Sequence, residues 1–142
     1  MILDKELVFS DSQAKGTGVF DSAANFDSTN IVDLTKAGNR LDNLNFVAQV
    51  DTAFVGTSST LKVALATCAT TNGSFETLLA SDAIPEATLV AGYEVIKTRV
   101  PRSGVKRYVK VIYTVGTAAM SAGAISAFLT PELDTNTANV LP

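Results

Sequence analysis

The 142-residue chain has no histidine, no tryptophan and a single cysteine, Cys68. Without histidine there is no imidazole base, no Ser-His-Asp or Cys-His nucleophile pair and no His-ligated zinc. One cysteine allows neither an intramolecular disulfide nor a thiolate cluster for zinc or iron–sulfur. Charge is sparse as well, with Asp, Glu, Lys and Arg at 18% and a formal net charge of −3. A disordered tail would be richer in charge and poorer in apolar residues, and a helical bundle would be dense in Leu, Glu and Lys. For catalysis only carboxylate or lysine chemistry survives. Glu76, Glu86, Glu94 and Glu132 are scattered, and a hydrolase would need two of them about 5–10 Å apart in a cleft. Cys68 ends an apolar run between Thr67 and Ala69, where a buried inert thiol is expected. The expectation is a protein that is not an enzyme and carries no metal and no cofactor.

Hydrophobic runs long enough to mislead are also few. Val111 to Pro131 carries no charge, and its length matches a membrane span of about 20 apolar residues. Thr114, Gly116, Thr117, Ser121, Gly123 and Ser126 interrupt it, so two buried strands joined by a small-residue loop explain it better and no membrane association is expected. The opening Met1-Ile2-Leu3-Asp4-Lys5-Glu6 lacks the basic and apolar regions of a secretory signal.

What the chain does have is β-branched residues: Val, Ile and Thr supply 38 of 142 positions. These fit a pleated, half-buried surface, so an all-β domain is expected. The length suits one domain spanning 1–142. Leu44, Phe46, Ala48 and Val50 alternate with polar or smaller neighbours, as do Leu61, Val63 and Leu65 around Lys62, a period of two that buries one face. Asn72-Gly73 suggests a tight hairpin turn with positive φ; Asn72-Gly73-Ser74 also fits a glycosylation sequon, a weaker explanation without a secretory signal. Ile84 to Gly92 is expected to be a connection with one helical turn closed by glycine. Further strands are expected at Ile31–Leu34, Phe75–Ala80, Tyr93–Val100, Tyr108–Val115 and Ala124–Leu129, with Lys5–Phe9 as the first. Eight short strands predict two sheets packed face to face, an eight-stranded jelly roll or β-sandwich. Residues 1–30 have no sustained period and are expected to form an extended N-terminal arm, with Gly16-Thr17-Gly18 as an elbow.

The strongest charge feature is basic. Six of the eleven basic residues, Lys97, Arg99, Arg102, Lys106, Arg107 and Lys110, fall between positions 97 and 110 with no acid among them. On adjoining strands they predict a docking stripe for an acidic partner, or else a solvated outer face that keeps the protein soluble. Nucleic acid is not the expected partner, because the pI is near 4.8 and phosphate-driven binders are basic. Asp21, Asp27 and Asp33 recur every six residues, which is not the spacing of a calcium loop.

The opening block from Met1 to Ala14 resembles that of a family of small capsid cement, or decoration, proteins of tailed bacteriophages. Further matches follow in order: Ser28-Thr29-Asn30-Ile31-Val32-Asp33-Leu34, Leu89-Val90-Ala91-Gly92, Arg107-Tyr108, Tyr113-Thr114-Val115-Gly116 and Ala122-Gly123-Ala124-Ile125-Ser126-Ala127. They span nearly the whole chain, but Arg40–Asn43 and Asp134–Pro142 match nothing. The resemblance implies a non-enzymatic jelly roll on the outer surface of the virion, made in the host cytoplasm. It would bridge neighbouring major capsid protein subunits and self-associate, as a dimer or alternatively a trimer. On that basis the expected docking residues are the apolar anchors Ile2, Leu3, Leu7 and Phe9 and the cations Lys97, Arg99, Arg102, Lys106 and Arg107. The rival expectation is a glycan- or receptor-binding jelly roll on a virion surface.

Overall fold

The computed structural model describes residues 8–14, 25–33, 45–100 and 104–130. These form an all-β sandwich of two antiparallel sheets. The strands are β1 (Val8–Ala14), β2 (Asn25–Asp27), β3 (Val32–Asp33), β4 (Asn45–Gly56), β5 (Thr60–Cys68), β6 (Glu76–Ala80), β7 (Ile84–Pro85), β8 (Glu94–Arg99), β9 (Tyr108–Gly116) and β10 (Met120–Thr130). One sheet has the order β1-β10-β4-β8; the other runs β2-β9-β5-β6, with β3 also on β9 and β7 also on β5.

Ten strands among the described residues replace the eight expected, and the excess has a local cause. Two edge strands are each interrupted by a serine that stands in for the ladder. Ser28 N–H donates to the Val111 carbonyl at 2.7 Å, while the Val111 N–H donates to the Ser28 hydroxyl at 3.0 Å. Ser81 repeats the device on the opposite edge, donating to the Val63 carbonyl at 2.8 Å and accepting the Val63 N–H on Oγ at 3.0 Å. The hydroxyl replaces a main-chain carbonyl, so the chain breaks its pleat without leaving a buried amide unsatisfied. Thus β2 and β3 run along one flank of β9, and β6 and β7 along one flank of β5.

Alternation on β9 is complete: Val109, Val111, Tyr113 and Val115 face the core, with half-buried residues between them. Leu61, Val63 and Leu65 of β5 join them from the same sheet, and Phe46, Ala48, Val50 and Ile125 answer from the other. Each large apolar side chain fully buried here contributes about 1.5–3 kcal/mol. The single-face expectation for β4 is too simple, since Val47 is also buried, paired with Phe128 on the outward phase. The uncharged stretch after Val111 forms β9 and β10, which lie in different sheets. No helix among the described residues is long and apolar enough to cross a membrane.

Three local expectations change. Asn72 and Gly73 do not adopt positive φ; a Cβ on Gly73 would sit 2.6 Å from Cys68 Sγ, so the glycine permits close approach of the loop to the buried thiol. Ile84–Gly92 forms β7 and a turn, with Leu89 N–H bonded to the Glu86 carbonyl at 3.1 Å, and Gly92 closes it at φ 89°. The third change concerns the arm. The described parts of residues 1–30 belong to the sandwich, as β1 on β10 and β2 on β9. Phe9 is 0% exposed and meets the Phe46 ring edge-on at 5.9 Å. Its burial in the core holds the segment down.

Candidate functional site

A polar seam ties β1 to the connection between β2 and β3, and so joins the two sheets along one side. The Tyr113 hydroxyl, projecting from β9 through the core, donates to Ser10 Oγ at 2.8 Å. Ser10 donates to Gln13 Oε1 at 2.6 Å, which also accepts from the Thr29 amide at 3.0 Å and hydroxyl at 3.1 Å. Gln13 Nε2 donates to the Asp27 carbonyl at 3.0 Å, and Asn30 N–H to the Phe9 carbonyl at 2.9 Å. Burial pushes the Tyr113 phenol well above its ordinary value, with the nearby Asp51 charge adding to the effect.

That shift fixes a sign. Between the phenol's ordinary value of 10.0 and its raised folded value, the native state holds a proton that the unfolded chain has lost. Stability from Tyr113 is therefore complete below about pH 10 and declines as pH rises further. Tyr113→Phe is expected to lose about 1–2 kcal/mol at pH 7 through the missing hydrogen bond and to flatten this alkaline decline. Urea denaturation at pH 7 and pH 10.5 checks both; equal alkaline losses in the two proteins would contradict the assignment.

Beside the seam, on the outer face of the four-stranded sheet, lies a groove of about 420 Å³ lined by Val8, Ser10, Asp11, Asn30, Gln49, Ser126 and Phe128. Alternation puts Gln49 and Ser126 on this face, opposite each other in register. Ser126 Oγ hydrogen-bonds the Asp51 carboxylate. Asn30 Nδ2 donates to the Val8 carbonyl at 3.3 Å, and Phe128, 3% exposed, is the groove's floor. Among the described residues no group of three or more Cys, Asp or Glu could hold a metal ion.

The residues expected to dock are not brought together. Ile2, Leu3, Leu7 and Arg102 lie outside the described residues, and Phe9 is core. Lys97 and Arg99 do share one face, as alternation requires, but β8 is an end strand of the four-stranded sheet. Lys106 and Arg107 precede β9, and Lys110 lies on it, in the other sheet. The stripe is thus two groups on two sheets, because β8 pairs with β4 and β9 with β5. Tertiary structure also supplies the acids the local sequence lacks. Arg107 makes a bidentate pair with Asp33 at 2.8 and 3.1 Å, which raises its already high pKa. Lys110 meets Asp27 at 3.1 Å and Lys106 meets Glu76 at 3.2 Å, while Lys97 meets Glu94, three residues earlier on β8, at 3.3 Å. Exposed pairs of this kind add little stability, but they reduce the positive field available to a partner.

The groove residues were not legible as a group, since they come from four separated segments. The one sequence signal was phase, with Gln49 and Ser126 at outward positions of otherwise apolar strands. The family model of Bbp16 matches residues 9–129, from Phe9 in β1 to Leu129 in β10. The chain belongs to the Bbp16 family. The match takes in the whole Bbp16-family sandwich apart from the outermost residues of β1 and β10, including both interrupted edges and the seam. No curated protein matches the chain.

Proposed function

We propose that this Bbp16-family chain is a non-enzymatic capsid cement protein that binds the outer surface of a phage head and bridges neighbouring major capsid protein subunits. The observation that carries this reading is where the cement-like motifs fall. Ser10 and Gln13 of the opening block, Thr29 and Asn30, and Tyr113 build the inter-sheet seam, while Ser28 holds the interrupted edge to β9. Asp33, from the same motif as Thr29 and Asn30, and Arg107, from a further one, make the bidentate pair between β3 and the residue before β9, and Ala122–Ala127 spans the irregular part of β10. The resemblance therefore follows contacts that define this fold.

Strand order supports a jelly roll. With β2/β3 and β6/β7 each taken as one interrupted strand, eight strands remain, four in each sheet, and the first and last lie side by side. For the glycan-binding rival, an exposed aromatic platform would be expected; the aromatic ring in the groove is Phe128, which is buried. Self-association follows from the edges: β6 and β8 end their sheets among the described residues, and unpaired edges invite a second copy, a dimer first and a trimer next.

Cementing is linkage: a protein that binds the assembled shell and not its separated subunits adds its binding free energy to the shell. The test is co-sedimentation with heads assembled from the cognate major capsid protein. Saturable binding to heads, and none to unassembled subunits, is expected. Absence of binding to heads, or equal binding to free subunits, would overturn the proposal.

A further inference from the structure

We propose that the groove on the outer face of the four-stranded sheet binds an arginine side chain presented by a partner protein. Its described lining contains acceptors and apolar surface and no cation. The Asp11 carboxylate is exposed, and neither it nor the Gln49 amide is engaged by any hydrogen bond or ion pair among the described residues. Asn30 uses its amide nitrogen on the Val8 carbonyl, which leaves its side-chain oxygen as an acceptor. Ser126 adds a second carboxylate beside the groove through its bond to Asp51. These acceptors come from β1, β4, β10 and the segment after β2, so they approach one volume from different directions.

A guanidinium answers such a set better than an ammonium. It is planar, always charged and carries five donors in a fixed fork, two of which suit a carboxylate while the others reach neighbouring amides. Its aliphatic stem would lie along Val8 and Phe128, as long basic side chains do on apolar surface. At about 420 Å³ the groove exceeds a single side chain and so takes the flanking backbone of an extended segment. A sugar finds no open ring to stack on, since Phe128 is buried. A divalent cation finds no group of three ligands. The polarity is the reverse of that expected from the sequence: Lys97, Lys106, Arg107 and Lys110 are paired with acids of this chain, whereas the groove offers a carboxylate. The assignment rests on the groove alone and stands whether or not a capsid is the partner.

The test is an amide chemical-shift titration of the full chain with N-acetyl-arginine methylamide, its neutral isostere N-acetyl-citrulline methylamide, and galactose. Saturating shifts at Asp11, Gln49 and Ser126 are expected with the arginine probe. Binding of the citrulline probe is expected to be at least about fivefold weaker, and Asp11→Asn should weaken the arginine probe by a similar factor. Absence of shifts at those amides, equal binding of the two probes, or tighter binding of galactose would each overturn the proposal. So would an unchanged arginine affinity in Asp11→Asn, provided its thermal melt matches the parent.

Discussion

Phe9→Ala is expected to destabilise the protein by about 3–5 kcal/mol, the usual loss when a fully buried phenylalanine is truncated in a packed core. The ring is 0% exposed and sits edge-on to Phe46, so its removal opens a cavity and ends an aromatic contact. An arm held outside the sandwich would give the opposite result, because surface substitutions usually stay within about 0.5 kcal/mol. Urea denaturation of the parent and of Phe9→Ala separates the two outcomes. Phe9→Leu, which keeps most of the apolar volume, should retain most of the stability. A loss below about 1 kcal/mol in Phe9→Ala would return the segment to the role of a free docking arm.

Gly123→Ala is expected to be comparably damaging for a different reason. Gly123 has φ 139°, a backbone region that side chains rarely adopt, and a Cβ there would overlap the Phe54 ring. The position lies in β10 where its register with β4 shifts repeatedly between Met120 and Ile125, so the strand bends over the ring. Backbone strain of about 1–3 kcal/mol adds to overpacking of about 1–3 kcal/mol, for a total of about 2–6 kcal/mol. Gly123→Ala with Phe54→Leu should recover part of that loss, since the smaller side chain makes room for the methyl group while the backbone strain remains. Thermal melts of the single and double variants measure the recovery; no recovery would place the whole effect in the backbone.

The strands were legible because their physics is local. Period-two burial in β9 and the first half of β5 needs only the residues themselves, whereas β10 and parts of β4 and β5 are buried on both faces. The two interrupted edges were not legible, since Ser28 and Ser81 act through amides 83 and 18 residues away in sequence. Phe9 carried an ambiguous signal: an apolar residue in a polar segment serves equally as a docking anchor and as a core residue, and only the partner strand decides. The division of the basic stripe into two groups was hidden for a related reason. Contiguity in sequence implied a surface, but β8 and β9 enter different sheets, and the neutralising acids Asp27, Asp33 and Glu76 lie far away in the chain. Side-chain charge was visible from the start; its pairing was a tertiary property.

Whether the protein cements a shell is tested most directly by calorimetry of assembled heads at rising concentrations of the protein. A ligand that binds only the assembled state stabilises it by about 2.7 kcal/mol per site at a free concentration one hundred times Kd. The shell's disruption temperature should therefore climb as sites fill and continue to rise slowly with free protein beyond saturation. A disruption temperature that stays constant across the titration, while the protein is shown by sedimentation to be on the heads, would contradict a cementing role.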